Sequence, residues 1–362
     1  MQTEYLPKRI ILVRHGRSTF NDQGRYQGSS DEAVLTLKGI ETARQVGEYL
    51  QTTTIDAVYT SPLLRAKQTT EEILKAMADK RPKPITVSGY LREIDLSVWE
   101  GLTYDYVRQH HKEAYDCWQQ HPDEFKLPAA DNGYYFPIKA LYKRAQKFWT
   151  HILPNHAGKT LLVVSHGGTN HALISTALDL PPKHHHSLQQ SNCGISILDF
   201  SDGVQLNQLN QTTVIKETLP KLKAGKQGLR LFLLAEDSLT TVTCRQLAQR
   251  LATIQLNFCL SVTAGQKWLP TLLEYQPRIT RFVDEKDNFL QDWQQAWTDS
   301  FSSTQTVMTG LAIAPTTSIQ TLLMQTLGGH PRESPKISLK PGHLSVINYP
   351  KNHRPIVQAI NI

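Results

Sequence analysis

Cysteine is scarce in this sequence. There are four in 362 residues, Cys117, Cys193, Cys244 and Cys259, and no two form a CxxC pair. Such scattered thiols argue against a disulfide framework and a cysteine zinc site, and they set a reducing cytoplasm as the expected compartment. Long apolar runs are missing too. Leu231-Phe232-Leu233-Leu234-Ala235 is typical of the longest, far short of the ~20 residues that cross a bilayer. Met1 to Pro7 is acidic and polar, without the apolar stretch of a signal peptide. No basic stripe interleaved with aromatic platforms occurs, which argues against nucleic acid as a partner.

What is present is a chain with a core, 40% hydrophobic and 20% charged. Its length suits two domains, or one with a large insertion. Lys and Arg number 39 against 32 Asp and Glu, a net charge of +7. A basic balance fits an anionic partner without naming one. The excess is uneven: residues 1–218 hold 24 cationic and 23 anionic side chains, residues 219–362 hold 15 and 9. An anionic ligand must therefore be argued from placed residues and not from net charge.

Arg9 to Val13 is a short apolar run that reads as a buried strand and leads into Arg14-His15-Gly16. A helix is expected over 36–50, with Thr36 as N-cap. Residues 57–60 read as a second strand, ending at Ser61-Pro62 with Pro62 at the first helical position. Leu161 to Val164 is another strand, ending at Ser165-His166-Gly167-Gly168, with a helix beyond through Leu178. Two later strands, 195–200 and 204–209, meet at Asp202-Gly203. Strands alternating with helices predict an α/β sheet, in which chemistry gathers at the carboxyl ends of the strands. Residues 100–155 break the rhythm and read as an insertion of packing helices and candidate lid.

Residues 219–228 read as a linker between a domain at 1–218 and a second at 229–362. The second domain repeats the first at shorter length. Arg230 to Leu234 matches Arg9 to Val13 at a shift of 221, and Leu311 to Tyr349 follows Leu162 to Phe200 at an ungapped shift of 149. At the matched positions Arg14 becomes Ala235, His15 becomes Glu236 and His166 becomes Pro315, while Arg65 falls near Gln266. The second copy is thus expected to be catalytically inactive, with a packing or dimerisation role.

The residues His15, Arg14, Arg65, Glu93 and His166 make a chemically complete set for phosphoryl transfer. Planar guanidinium forks suit the peripheral oxygens of a phosphoryl group. A neutral imidazole is a nucleophile near pH 7 when its other nitrogen donates to a fixed acceptor. A carboxyl group can protonate the departing alkoxide and then activate water. Three other patterns carry less. Gly158-Lys159-Thr160 mimics the end of a phosphate-binding loop, but Leu153 stands where glycine is required. His184-His185-His186 reads as a surface loop and not a metal site. Asn210-Gln211-Thr212 fits a glycosylation pattern that has no meaning in the cytosol.

Leu12-Val13-Arg14-His15-Gly16-x-Ser18-x-x-Asn21, Ser61-Pro62-x-x-Arg65-Ala66-x-x-Thr69, Leu91-Arg92-Glu93 and Val164-Ser165-His166-Gly167 resemble the histidine phosphatase (phosphoglycerate-mutase-like) superfamily. The resemblance implies a three-layer α/β/α sandwich with a helical lid insertion, followed here by a smaller degenerate copy. It implies His15 as phosphohistidine nucleophile and Glu93 as proton donor and acceptor. Arg14, Arg65 and His166 become phosphate ligands, with Asn21, Gln27, Gly28 and Gly167 lining the pocket. It implies no cofactor and no metal.

Within that superfamily, Gly24 to Asp31, Leu91 to Leu96 and Gln190 to Phe200 are similar to the 2-carboxy-D-arabinitol-1-phosphatases, which remove phosphate from a tight-binding inhibitor of Rubisco. The expected function is hydrolysis of a phosphorylated sugar acid. A phosphoglycerate mutase, a broad sugar phosphatase and a sugar-phosphate-sensing protein remain as alternatives. The expected partner is a small sugar phosphate, with no membrane or nucleic acid and with a homodimer as the candidate assembly. A substrate carboxylate would need a second cationic site, for which Arg25, Lys112, Lys126, Lys139 and Arg144 are candidates.

Overall fold

The apolar run at residues 9–13 forms β1 (Arg9–Arg14), an inner strand of a six-stranded sheet. The computed structural model describes every residue except 1–6, 78–83, 130, 131, 224, 226, 238, 277, 285–288, 291, 292, 294–305 and 331–335. Most of the N-terminal stretch read above for a signal peptide, and parts of the insertion and linker, lie outside the described residues. Two compact units divide the chain, residues 1–220 and 221–362.

In the first unit β1 is followed by α1 (Thr19–Asp22), α2 (Leu37–Leu50), β2 (Ala57–Thr60), α3 (Leu64–Ala76) and β3 (Ile85–Val87). Then come α4 (Tyr104–His110), α5 (Lys112–Gln120), β4 (Leu127–Pro128), β5 (Tyr134–Tyr135) and α6 (Pro137–Ile152). β6 (Thr160–Ser165), α7 (Gly167–Ala177), β7 (Ile195–Asp199) and β8 (Gln205–Gln211) complete it. The sheet order is β3-β2-β6-β1-β7-β8. β1 runs parallel to β6 and antiparallel to β7.

Ile10 to Val13 and Leu161 to Val164 are fully buried, as strands covered on both faces must be. Ile11, Val13, Leu162 and Val164 pack with Ala43, Val46 and Leu50 of α2 and Ile73 of α3. Ile10 and Leu12 alternate to the opposite face. There α6 and α7 pack together, the Trp149 indole donating to the Leu173 carbonyl at 3.1 Å. The result is a three-layer α/β/α sandwich. Thr36 caps α2 as expected, its hydroxyl accepting the Gly39 amide at 3.1 Å.

Three local expectations change. Pro62 does not open α3. Ser61 Oγ accepts the Leu63 amide at 3.3 Å, holding a turn, and the helix begins at Leu64. The insertion is shorter than residues 100–155, because α6 belongs to the sandwich and buries Leu141, Ala145 and Phe148. What remains carries its own aromatic core, with the ring centroid of Phe125 4.9 Å from Trp99 and 5.1 Å from Trp118. His185 is not on a surface loop. It is 2% exposed, with its ring 5.7 Å from Tyr142 and 5.1 Å from His171.

The second unit contains β9 (Gly228–Ala235), α8 (Thr241–Leu251), β10 (Phe258–Val262), α9 (Leu269–Leu272), β11 (Thr280–Asp284), β12 (Val307–Ala314), α10 (Thr316–Leu327), β13 (Ser345–Pro350) and β14 (Ile356–Ala359). Its sheet order is β11-β10-β12-β9-β13-β14, the path of the first sheet with the same strand directions. Register agrees as well. Arg9 pairs with Thr160, and Arg230 with Thr309. Leu12 pairs with Ser196, and Leu233 with Ser345. The two shifts of 221 and 149 are therefore preserved in strand pairing, and the second unit is a smaller copy of the first fold. No helix among the described residues is long and apolar enough to cross a membrane.

Candidate active site

Two parallel strands end side by side, Arg14 pairing with Ser165. The next residues, His15 and His166, place their rings 5.2 Å apart. Both are buried, 2% and 0% exposed. His15 Nδ1 lies 2.7 Å from the Gly16 carbonyl. A carbonyl only accepts, so Nδ1 carries the proton and Nε2 is left with its lone pair. Burial, then the Arg65 and Arg14 charges, hold the His15 pKa well below the usual histidine range. The ring is therefore neutral at pH 7. His166 Nε2 meets Ser61 Oγ at 2.7 Å, and burial followed by Arg65, His15 and Arg14 keeps it neutral too.

Both arginines are fixed by backbone oxygens. Arg65, fully buried in the first turn of α3, donates Nη1 to the Ser30 carbonyl at 2.8 Å and Nη2 to the Gly28 carbonyl at 2.9 Å. Burial lowers its pKa to about 10, so it stays cationic at neutral pH. Gly28 has φ +52, and a Cβ there would overlap the Glu100 side chain. Only glycine fits that left-handed, crowded position. Arg14 donates Nη1 to the Gln190 carbonyl at 2.9 Å. Burial lowers its pKa, and Tyr104 and Glu93 oppose that shift.

Glu93 follows a short 3₁₀ turn, Gly89–Leu91, and docks on the N-terminus of α7. Oε1 accepts from the Ile94 amide at 2.9 Å and the Thr169 amide at 3.0 Å, while the Thr169 hydroxyl donates to the Arg92 carbonyl at 2.7 Å. Oε2 accepts only from the Gly168 amide, at 3.1 Å. The free amides at the start of α7 fix the position of this carboxyl group. A Cβ at Gly168 would stand 2.8 Å from Oε1, which explains glycine there.

The loop after β1 forms one wall. Ser18 Oγ lies 2.8 Å from Gln27 Oε1 and 3.1 Å from Asn21 Oδ1. Gly167 opens α7 beside Arg14. The structure thus gathers His15, Arg14, Arg65, Glu93 and His166. It uses Gly28 to hold an arginine and Gln27 to hold Ser18. The whole is chemically suited to a small anion: two guanidinium groups, two neutral imidazoles and a carboxyl group on one side.

Each of the five candidates for a second cationic site has a partner within the chain. Arg25 donates to the Gly101 carbonyl at 2.6 Å, and exposed Lys112 pairs with Asp116 at 2.5 Å. Lys126 sits 3.9 Å above the Tyr134 ring and Lys139 4.7 Å above Phe136. Arg144 donates to the Arg92 and Glu93 carbonyls at 2.6 and 2.9 Å.

Sequence reasoning missed Tyr104 and Thr169, gave no role to Asn192, and named Arg144 only as a candidate for a substrate carboxylate. Burial raises the Tyr104 pKa, opposed by Arg14 and by a hydrogen bond with Asn21. That places its hydroxyl at the edge of the pocket, from the first residue of α4. Its ring stands edge-on to Tyr26 at 4.9 Å. The aromatic richness of the insertion was the only signal for it.

A family profile described as "Histidine phosphatase superfamily (branch 1)" matches residues 10–212. The chain is 39% identical over 238 residues to "2-carboxy-D-arabinitol-1-phosphatase" of Triticum aestivum, covering 64% of this chain and 46% of that protein. It is 42% identical over 212 residues to "Probable 2-carboxy-D-arabinitol-1-phosphatase" of Arabidopsis thaliana, covering 57% and 42%. The match therefore spans a little under half the length of these relatives. A solved structure, "Bacillus stearothermophilus YhfR", is 31% identical, covering 55% of this chain and 94% of that one, with a TM-score of 0.49.

Proposed function

The chain belongs to the histidine phosphatase superfamily, and from that premise we propose that its first unit hydrolyses a phosphorylated sugar acid through a phosphohistidine at His15. The carrying observation is the His15 ring, whose Nδ1 proton is fixed on the Gly16 carbonyl while burial, then the Arg65 and Arg14 charges, lower its pKa. Nε2 attacks phosphorus and the bond to the sugar oxygen breaks. Arg14, Arg65 and His166 hold the peripheral oxygens as charge redistributes. The leaving alkoxide takes a proton from Glu93. Oε2 is the oxygen suited to carry that proton, because it accepts one amide where Oε1 accepts two. In the second step Glu93 takes a proton from water, the oxygen attacks phosphorus, the N–P bond breaks, and inorganic phosphate leaves with His15 neutral again.

For the substrate, the names of the wheat and Arabidopsis relatives support 2-carboxy-D-arabinitol 1-phosphate or another sugar phosphate that inhibits Rubisco. The second unit, with Ala235, Glu236 and Pro315 at the strand ends where the first has Arg14, His15 and His166, carries no phosphoryl chemistry in this reading. The test is phosphate release from 2-carboxyarabinitol 1-phosphate, xylulose 1,5-bisphosphate, ribulose 1,5-bisphosphate and both phosphoglycerates, with and without chelator. Highest kcat/KM on the carboxyarabinitol ester, unchanged by chelator, is expected. Isomerisation of phosphoglycerate without phosphate release would contradict the hydrolase reading.

A further inference from the structure

The loop Leu188–Gly194 carries a motif to which the mechanism above gives no task. Its backbone is tied to the nucleophile's strand: the Cys193 amide donates to the Arg14 carbonyl at 3.0 Å, and the Arg14 amide to the Gly194 carbonyl at 3.4 Å. The loop is tied from behind by Asn210, fully buried with φ +53, whose Oδ1 accepts the Ser191 amide at 2.7 Å. Cys193 has φ +55, a left-handed turn. The side chain held over the site by this turn is Asn192.

Asn192 Nδ2 lies within hydrogen-bond distance of three oxygens: His15 O at 3.0 Å, Gly16 O at 3.3 Å and Asn21 Oδ1 at 3.0 Å. All three only accept, so the Asn192 amide is oriented with its nitrogen toward them. One of them, Gly16 O, also takes the Nδ1 proton of His15. Asn21 Oδ1 is fixed in turn, since it accepts from the Ser18 amide at 3.2 Å besides Asn192. With its oxygen occupied by donors, Asn21 turns its own NH₂ toward Tyr104, with which it hydrogen-bonds.

From this geometry we infer that Asn192 is the positioning residue of the nucleophile. It holds the carbonyl that fixes the His15 tautomer, and it orients Asn21 so that its NH₂ faces Tyr104. The inference rests on the proposed role of His15 as nucleophile. Asn192 touches no reacting atom. Its amide presents the positive end of a dipole to the acceptor shared with His15, which disfavours the imidazolium form. Removing it strengthens Gly16 O as an acceptor for the His15 proton, and so raises the pH at which the nucleophile is lost.

The experiment compares wild type, Asn192→Ala and the isosteric Asn192→Asp in single-turnover and steady-state assays with 2-carboxyarabinitol 1-phosphate from pH 4 to 9. Trapped phosphohistidine in the wild type is the control for the underlying reading. If wild type forms none, the nucleophile assignment fails and the Asn192 inference with it. Given a wild-type phosphoenzyme, both variants are expected to slow its formation at least about tenfold, the usual scale for a misplaced reacting group, with KM within about threefold. The acid limb of kcat/KM is expected to move to higher pH, further for Asn192→Asp because the carboxylate adds a negative charge beside the imidazole. Wild-type rates in either soluble variant would overturn the inference. So would slowed rates with an acid limb that stays in place in both, since loss of packing alone lowers the rate without moving the His15 titration. Asn192→Asp keeps the volume of the side chain, so it decides the matter if Asn192→Ala does not fold.

Discussion

The two units share a sheet strand for strand and part company immediately after its central strand. Residues 15–36 separate β1 from α2, and they carry His15, Ser18, Asn21, Gln27 and Gly28. Only residues 236–240 separate β9 from α8. The scaffold survives because it depends on buried apolar residues and on register, such as Ser196 against Leu12 and Ser345 against Leu233. The second unit has a shorter connection after β9, and Ala235, Glu236 and Pro315 stand where the first has Arg14, His15 and His166.

The sharpest way to break this comparison is to delete the nucleophile. His15→Ala is expected to lower kcat on the best substrate by about 10⁴-fold or more, the scale seen when a nucleophile is removed. Phosphate release above that floor would return the second unit to consideration. Restoring a single residue there, by Glu236→His in the His15→Ala background, is expected to recover nothing, because no arginine replaces Arg14 at Ala235. Glu93→Gln ranks next, with a loss of about 10²–10⁴-fold in kcat, the range for a general acid and base. Arg65→Lys follows, because a single ammonium cannot replace a fork that reaches both the Ser30 and Gly28 carbonyls. A rise in KM is expected with the fall in kcat, measured on the same ester.

Stability against pH separates the units more gently, because burial also lowers the pKa of one histidine of the second unit, His353. His15, His166 and His185 of the first unit are each held well below their ordinary pKa by burial. A histidine with a lowered folded pKa binds its proton more readily when unfolded. Stability is therefore highest above the unfolded pKa near 6.5 and falls as pH drops below it, by up to about 1.4 kcal/mol per pH unit for each ring. Thermal unfolding followed from pH 7.5 to 5 is expected to show the melting temperature of the first unit falling. His185→Phe, which removes one of these rings, should flatten that slope. The smallest effect belongs to Lys112→Ala: an exposed ion pair contributes about 0–1 kcal/mol at most, and KM is expected to stay within twofold.

Much of the site was legible because its residues sit at strand ends in contiguous motifs. Arg14-His15 and Ser165-His166 follow apolar runs that can only be buried strands, and pairing of Arg14 with Ser165 then brings the histidines together. The duplicated sheet was legible for the same reason. What escaped was set by long-range packing. Asn192 meets His15 from 177 positions away and Arg144 meets Glu93 from 51, with no periodicity to announce either. β3 has three exposed residues, too few to give a hydrophobic signal. Pro62 misled because the Ser61 side chain holds a turn that delays the helix. His185 misled because a run of histidines reads as polar, while the rings of Tyr142 and His171 enclose the middle one.

The most direct measurement is acid-stable-site-excluded trapping of the phosphoenzyme: 2-carboxyarabinitol 1-phosphate mixed with excess protein, quenched within a turnover, digested at alkaline pH and read by mass spectrometry. The account predicts phosphate on the peptide containing His15, absent in His15→Ala and absent from every peptide of residues 221–362. Rapid phosphate release with no phosphorylated His15 peptide, or phosphate carried by the second unit, would contradict it.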